Sequence, residues 1–360
     1  MCHPPAVGVV YIREQGAVVR KRGGRLLIEK DDQRLAEIRL RETDGVAVFG
    51  AVQVTTQALS ELLDRGIGLT LYTRTGRLKG HLVPAEPGNI HLRLAQYRAA
   101  TDAGAALLLA KAVVQAKLRR AAALLSDYRD HYPAAALETA VRAQLDGVDR
   151  AEQAADQATL LGVEGAAARS YWTAFAALNR SDLAFDGRNR RPPRDPLNIL
   201  LSLGYSLLLG EIRSLAEAAG LEPHLGFLHQ PDHGRPSLAL DLLEPFRPAV
   251  ADRLALTLVN RRQIDAADFA QDLRPGRGGR LRLSPDGFKR YLHAYERLLT
   301  ERRADAPRGW RAALADAVAG LAGALRSDLE TGLPAQTWGP AVTPEESGPR
   351  QISDARPLRL

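Results

Sequence analysis

Apolar residues recur two apart along the first eighty positions and three to four apart along most of the remaining chain. VVYIRE, AVVRKR, GRLLIEK and LAEIRLRE, between residues 9 and 42, alternate apolar with polar side chains and are separated by turn formers at Gly23-Gly24 and Asp31-Asp32. That period places one set of side chains on a single face of a strand. Val46 to Val54 continues it. Thr55 and Thr56 then cap a helical run, TQALSELLDRG, which stops at Gly66. IGLTLYT and GRLKGHLV read as the closing strands.

The pattern changes after Pro84-Ala-Glu-Pro87-Gly. Between Leu94 and Tyr128 there is one glycine and no proline, and Leu107, Val114, Leu118, Ala121 and Leu125 recur at helical spacing. The spacing predicts a helix there ending at Pro133, a second from Ala135 to Leu161, and a third holding Glu164 to Leu178. Further helices are predicted from Asp195 to Gly220, from Ser237, over 286–303 and over 307–330. Leu200, Leu201, Tyr205, Leu208 and Ile212 mark the apolar side of the 195–220 helix. The fold class expected is α+β. A small, sandwich-like N-terminal β domain with one helix (1–86) precedes a larger all-α domain (87–331). The last stretch (332–360) carries five prolines and little periodicity, and is expected to be a mobile tail.

Composition narrows the function only a little. The chain has 360 residues, 45% of them hydrophobic, which suffices for a substantial core. Cys2 is the single cysteine, which excludes disulfide scaffolds and thiolate zinc clusters within the chain and fits a cytoplasmic setting. No secretory signal or membrane span is expected. Lys and Arg outnumber Asp and Glu by 49 to 42, a mild attraction for polyanions. The arginines are clustered, however. Arg188, Arg190, Arg191 and Arg194 share one Pro-rich loop, and Arg274, Arg277, Arg280 and Arg282 share a Gly-containing one. Such clusters neutralise phosphates without reading bases; solubility alone also accounts for them. No Gly-rich phosphate loop with Lys-Ser/Thr occurs, so ATP use is not expected.

Three segments offer chemistry. Asp241 and Glu244 are three apart on a predicted helix rich in leucine, so they share a face. A carboxylate buried there needs a partner, which a divalent cation would supply; a solvated acidic face capped by Ser237 is the plainer reading. His229 lies shortly before them, ahead of a Gly234-Arg235 turn. Glu164 is flanked by Ala166, Ala167 and Ala168, which leave space beside it, although an acid near a helix start also suits the helix dipole. Asn198 and Tyr205 lie two turns apart on one face of a very apolar helix. Their polar groups need partners, either core hydrogen bonds or the outer shell of a metal site. His224 and His233 read as turn and loop residues.

EGAAARSYW at 164–172, DPLNILLSLGY at 195–205 and GLEPHLGFLH…GRPSLALDLLEPFRP at 220–248 resemble the CRISPR-associated spacer integrase family, Cas-one, as does TDGVAVFGAVQVTTQALSELLDRGIGLTLYTRTGRLKG. The resemblance covers roughly residues 9 to 325. It implies that Glu164, His229 and Glu244 bind the catalytic Mn²⁺ or Mg²⁺, with Asp241 supporting them. Two carboxylates and one imidazole suit such ions. It further implies an endonuclease and integrase that joins a duplex 3′-hydroxyl to a repeat boundary. The implied partners are double-stranded DNA, a second copy through the β domain, and a small Cas-two protein in a hetero-hexamer. A catalytically inactive DNA-binding subunit is the alternative from another class, and a small-molecule metallohydrolase a distant third. A covalent Tyr205 nucleophile, with Arg235 and His229 holding the phosphate, would leave both glutamates without a role.

Overall fold

The alternating stretch folds into β1 (Val9–Ile12), β2 (Val18–Arg22), β3 (Arg25–Lys30), β4 (Gln33–Arg39), β5 (Gly45–Phe49), β6 (Gln53–Val54), α1 (Thr56–Asp64), β7 (Gly68–Tyr72) and β8 (Leu78–Leu82). The computed structural model describes residues 8–84, 89–132, 135–189, 192–272 and 280–327. Thr55 caps α1, its side chain accepting from Ala58 N. Asp31 and Asp32 both take positive φ, 49° and 60°, in the tight turn before β4. The strands form two four-stranded sheets, ordered β1-β5-β7-β8 and β4-β3-β2-β6.

In the first sheet β1, β5 and β7 run parallel, a pairing that alternation alone does not reveal. Parallel strands are usually covered on both faces, and β5 shows how. Val46 and Val48 turn into a core with Ile12 of β1, Val19 and Leu26 of the other sheet and Leu62 of α1. Ala47 and Phe49 turn the opposite way, into the large core of the helical half. Phe49 stacks on Tyr72 with ring centres 4.7 Å apart and meets Phe288 edge-on at 5.4 Å. The sheet is therefore a wall shared by both cores.

A polar rivet reinforces that junction. The Glu296 carboxylate accepts from Val9 N (3.1 Å) and Tyr11 Oη (2.9 Å) on β1, and from both terminal nitrogens of Arg311 (2.6 and 2.8 Å). Arg311 also donates to Glu211, which accepts from Tyr295 Oη at 3.1 Å. Arg311 bridges both carboxylates and neutral donors take up the remaining oxygens, which offsets much of the cost of their partial burial.

The helical half contains α2 (Ile90–Thr101), α3 (Ala103–His131), α4 (Ala135–Glu152), α5 (Gln157–Leu178), α6 (Pro196–Ala218), α7 (Ser237–Leu243), α8 (Arg253–Asn260), α9 (Pro285–Thr300) and α10 (Trp310–Arg326). A π-helical turn, Arg247–Asp252, joins the α7 region to α8. Two predicted helices are in fact broken. The one expected through Leu94 to Tyr128 bends by 94° between α2 and α3, because the Asp102 side chain accepts from Ala105 N at 2.7 Å and starts a new helix. The one expected from Ala135 to Leu161 stops at Glu152, and Asp156 caps α5 through Thr159 N at 2.7 Å. The helical half also holds a short hairpin, β9 (Phe269–Asp272) with β10 (Arg280–Leu283). By length and composition alone α6 is long and apolar enough to cross a bilayer. It is instead the central core helix, with Leu197, Leu200, Leu201, Leu208 and Ile212 buried. The boundary at 86, Pro133 and the tail at 332–360 lie outside the described residues.

Candidate metal centre

Three helices and one turn deliver the candidate side chains: α3, α5, α7 and residues 221–236 before α7. Glu164 sits about two turns inside α5, so helix-start chemistry does not explain it; Asp156 does that work. Gln144 on α4 fixes α5 by donating to Ala167 O at 2.9 Å. Ala168, one turn past Glu164, lines a cavity of about 60 Å³ together with Lys117, Tyr171, Tyr205, Arg247 and Asp252.

The turn carrying His229 is held just as firmly. Gln157 donates to the carbonyls of Phe227 (2.8 Å) and Leu228 (3.0 Å). Asp241, 1% exposed, accepts from the backbone nitrogens of Phe227, Leu228 and His229 at 2.6, 2.9 and 3.0 Å. Gly226 makes this approach possible, since a Cβ there would lie 2.6 Å from Asp241 Oδ2. Ser237 does not cap α7; its hydroxyl donates to Gln230 O at 3.0 Å and draws the turn onto the helix.

Asp241 also holds His229 Nδ1 at 2.6 Å, which leaves Nε2 pointing toward Glu244 Oε1 at 3.8 Å. Glu244, 3% exposed, pairs with Arg247 at 2.9 Å through Oε1. Its other oxygen is buried without a directed hydrogen bond, and the nearest cation is the Lys117 ammonium at 2.8 Å. Burial alone would raise the pKa of Glu244, but Arg247 and Lys117 overcome it and bring the pKa down to about 2. Lys117 donates as well to Glu164 Oε1. Burial would weaken its charge, yet the two glutamates raise its pKa above the ordinary lysine value. Glu164 and Glu244 thus share one ammonium, with the His229 imidazole beside them.

Among the described residues, no three carboxylate or imidazole groups are already closed around one point. The donor set nevertheless fits a divalent cation. It holds two carboxylates, one with a buried oxygen lacking a directed hydrogen bond, and an imidazole whose far nitrogen is fixed by a carboxylate. That last arrangement is the usual support for a metal-binding histidine.

The remaining candidates fall elsewhere. Asn198 faces the 187–195 loop rather than the acidic cluster, accepting from Arg188 and Asn189 N and donating to Gly187 O and Asp195. Arg188, expected among the phosphate-neutralising loop arginines, is turned inward onto Asn198 and over the Tyr205 ring, 5.1 Å from its centre. Arg194 and Arg280 are exposed, Arg235 and Arg282 half-buried; Arg190, Arg191, Arg274 and Arg277 lie outside the described residues. His233 is exposed, and His224 pairs with Glu222 at 2.9 Å. Tyr205 donates to Asp252 at 2.6 Å. Burial and the Asp252 charge push its phenol far above the neutral range, the reverse of what an activated nucleophile requires.

Sequence reasoning misses Lys117, Arg247, Tyr171 and Asp252 as site residues. Lys117 has a signal: three of its four helical neighbours at three and four positions, Val113, Val114 and Ala121, are apolar and buried, and the fourth is the buried Arg120. A lysine on that stripe requires an anion. Asp252 accepts from Tyr171 (2.7 Å) and Tyr205 (2.6 Å), and burial brings its pKa up to about 6. A carboxyl whose folded pKa is raised binds protons more tightly folded than unfolded, so stability falls as pH rises from about 4 through 6. Replacing Asp252 with Asn removes that slope. The variant is expected to gain on the wild type across this window, by up to about 3 kcal/mol at pH 8. Urea melts at pH 4, 6 and 8 check it; a pH-independent difference refutes it.

A family model described as CRISPR associated protein Cas1 matches residues 10–297. The CRISPR-associated endonuclease Cas1 2 of Rhodospirillum rubrum is 40% identical over 315 residues, covering 82% of this chain and 88% of that one. The CRISPR-associated exonuclease Cas4/endonuclease Cas1 fusion of Geobacter sulfurreducens is 37% identical over 300 residues, 81% of this chain. The chain spans about half of that fusion, 53% of its length. Among solved structures, a casposase bound to integration product superposes with a TM-score of 0.77 at 26% identity, covering 90% of this chain and 92% of that one.

Proposed function

Because this chain belongs to the CRISPR-associated Cas1 family, we propose that it is a DNA endonuclease and integrase of CRISPR adaptation, joining the 3′-hydroxyl ends of short duplexes to a repeat boundary by direct, metal-dependent transesterification. The observation that carries the reading is the shared ammonium. Glu164 and Glu244, remote in sequence, meet on Lys117 with the Asp241-oriented His229 alongside.

Glu164, Glu244 and His229 would hold Mn²⁺ or Mg²⁺, whose contribution when bound is to offset charge building on the scissile phosphate. The chain's own residues do the rest. Asp241 sets the histidine tautomer, so that Nε2 is the free donor. Arg247 keeps Glu244 ionised at every physiological pH. Gln157 and Ser237 lock the turn so that the imidazole does not drift. The attacking 3′-hydroxyl gives up its proton to solvent and forms one phosphodiester as another breaks, with the leaving 3′-oxygen taking a proton from solvent. No covalent enzyme intermediate is required, in keeping with the engaged hydroxyl of Tyr205. Hydrolysis is the same displacement with water as nucleophile.

The casposase neighbour supports the integrase half of this reading, and the curated relatives the endonuclease half. Of the arginines in the two loop clusters and the Gly234-Arg235 turn, Arg194 and Arg280 are exposed and Arg235 half-buried, and these are proposed to meet phosphates. A second copy meeting through the β domain and a small Cas2 partner complete the proposed cytoplasmic assembly. Integration of a short duplex into supercoiled plasmid is the test. Product is expected with Mn²⁺ or Mg²⁺, none in EDTA, and none when the duplex ends are 3′-dideoxy. An inactive subunit would bind the duplex and give no product at any metal concentration; product in EDTA would remove the metal from the reading.

A further inference from the structure

Lys117 contacts one oxygen of each carboxylate that would hold a cation, Glu164 Oε1 and Glu244 Oε2. An ammonium and a divalent ion cannot both occupy that point, because like charges at such separations repel strongly in a weakly screened site. Nothing else about the lysine suggests a general structural role. Its stem lies among buried apolar residues on α3, its side chain is 18% exposed, and its tip reaches past them to the carboxylates. The adjoining cavity, about 60 Å³ and lined by Lys117 itself, offers the flexible stem somewhere to go. Arg247 differs, since it grips the opposite oxygen of Glu244 and need not leave.

We infer that Lys117 is a built-in competitor for the catalytic cation: a positioning residue that keeps Glu164 and Glu244 together and must swing aside into the neighbouring cavity as the metal binds. This rests on the metal reading proposed above. It makes metal affinity a balance between two cations rather than a property of the three ligands alone. The site then binds Mn²⁺ more weakly than its ligand set allows, and holds its shape before the ion arrives.

The test reads Mn²⁺ binding directly, by electron paramagnetic resonance of free Mn²⁺ during titration, and thermal melting with and without the ion. Lys117→Met and the neutral, polar Lys117→Gln are expected to bind Mn²⁺ about tenfold more tightly than wild type, since one opposing charge is gone. Both should melt several degrees lower in EDTA, where two carboxylates face each other unbalanced, and recover most of that loss with Mn²⁺. Lys117→Arg keeps the charge and should stay within about threefold of wild type. Unchanged or weaker Mn²⁺ binding in both neutral variants, at a site that Glu164→Gln still abolishes, overturns the competitor role and leaves the metal reading intact. Wild-type Mn²⁺ binding that is insensitive to Glu164→Gln overturns both.

Discussion

Replacing Glu164 with glutamine is expected to cut strand transfer by about a thousandfold or more, a loss of roughly 4 kcal/mol in transition-state stabilisation. Duplex affinity should stay within about threefold and the melting temperature within about 2 °C, because one partly exposed ion pair contributes little and Lys117 keeps its second partner. The reasoning is local. Glu164 is 23% exposed, well inside α5, and its contact is with Lys117, which keeps Glu244 as a second partner. Glutamine preserves shape and the small-residue surroundings while removing the charge a divalent ion requires. Plasmid integration and fluorescence anisotropy on the same preparations check it. Wild-type integration by the glutamine variant would eliminate Glu164 as a ligand.

The largest stability effect is expected at Asp241. Alanine there strands three backbone donors, from Phe227, Leu228 and His229, and releases the histidine ring. Each unsatisfied buried donor costs about 1–3 kcal/mol, so a net loss of about 3–5 kcal/mol is expected after relaxation. The melting temperature should drop by roughly 10 °C. Below that melting point, integration should still fall by about 10–100-fold, since His229 loses the group that aims its Nε2. Calorimetry and integration at reduced temperature separate the two effects. A melting point within about 2 °C of wild type would mean the 227–229 turn is held by other contacts.

How far the residues announce all this depends on range. β3 and β5 are legible because alternation is a local property, while the parallel pairing of β1, β5 and β7 is not, since it depends on partners far along the chain. The break between α2 and α3 has its signal in Asp102, a capping residue, but apolar spacing continues through it and outweighs one side chain. Asp156 is obscured for the same reason. At the site, Glu164, His229 and Glu244 each have an ordinary explanation when taken singly; the motifs as ordered strings point to them together. Lys117 is concealed by its helix, where it is one of several cations, with Lys111, Arg119 and Arg120, and looks like surface decoration until the helix is packed. Arg188 goes the other way, drawn inward by Asn198 out of a loop that looks wholly solvated.

The sheet whose two sides serve different cores has a mechanical corollary. Val46 and Val48 clamp one slab of the molecule and Ala47 and Phe49 the other, so the sandwich is mortared to the helices. With Glu296 and Arg311 pinning β1 to α9 and α10, little play remains at the seam. Any assembly built on the outer slab inherits a fixed span to the carboxylates. In the dimer proposed above, the separation of the two carboxylate clusters would then be set by the stiffness of this masonry.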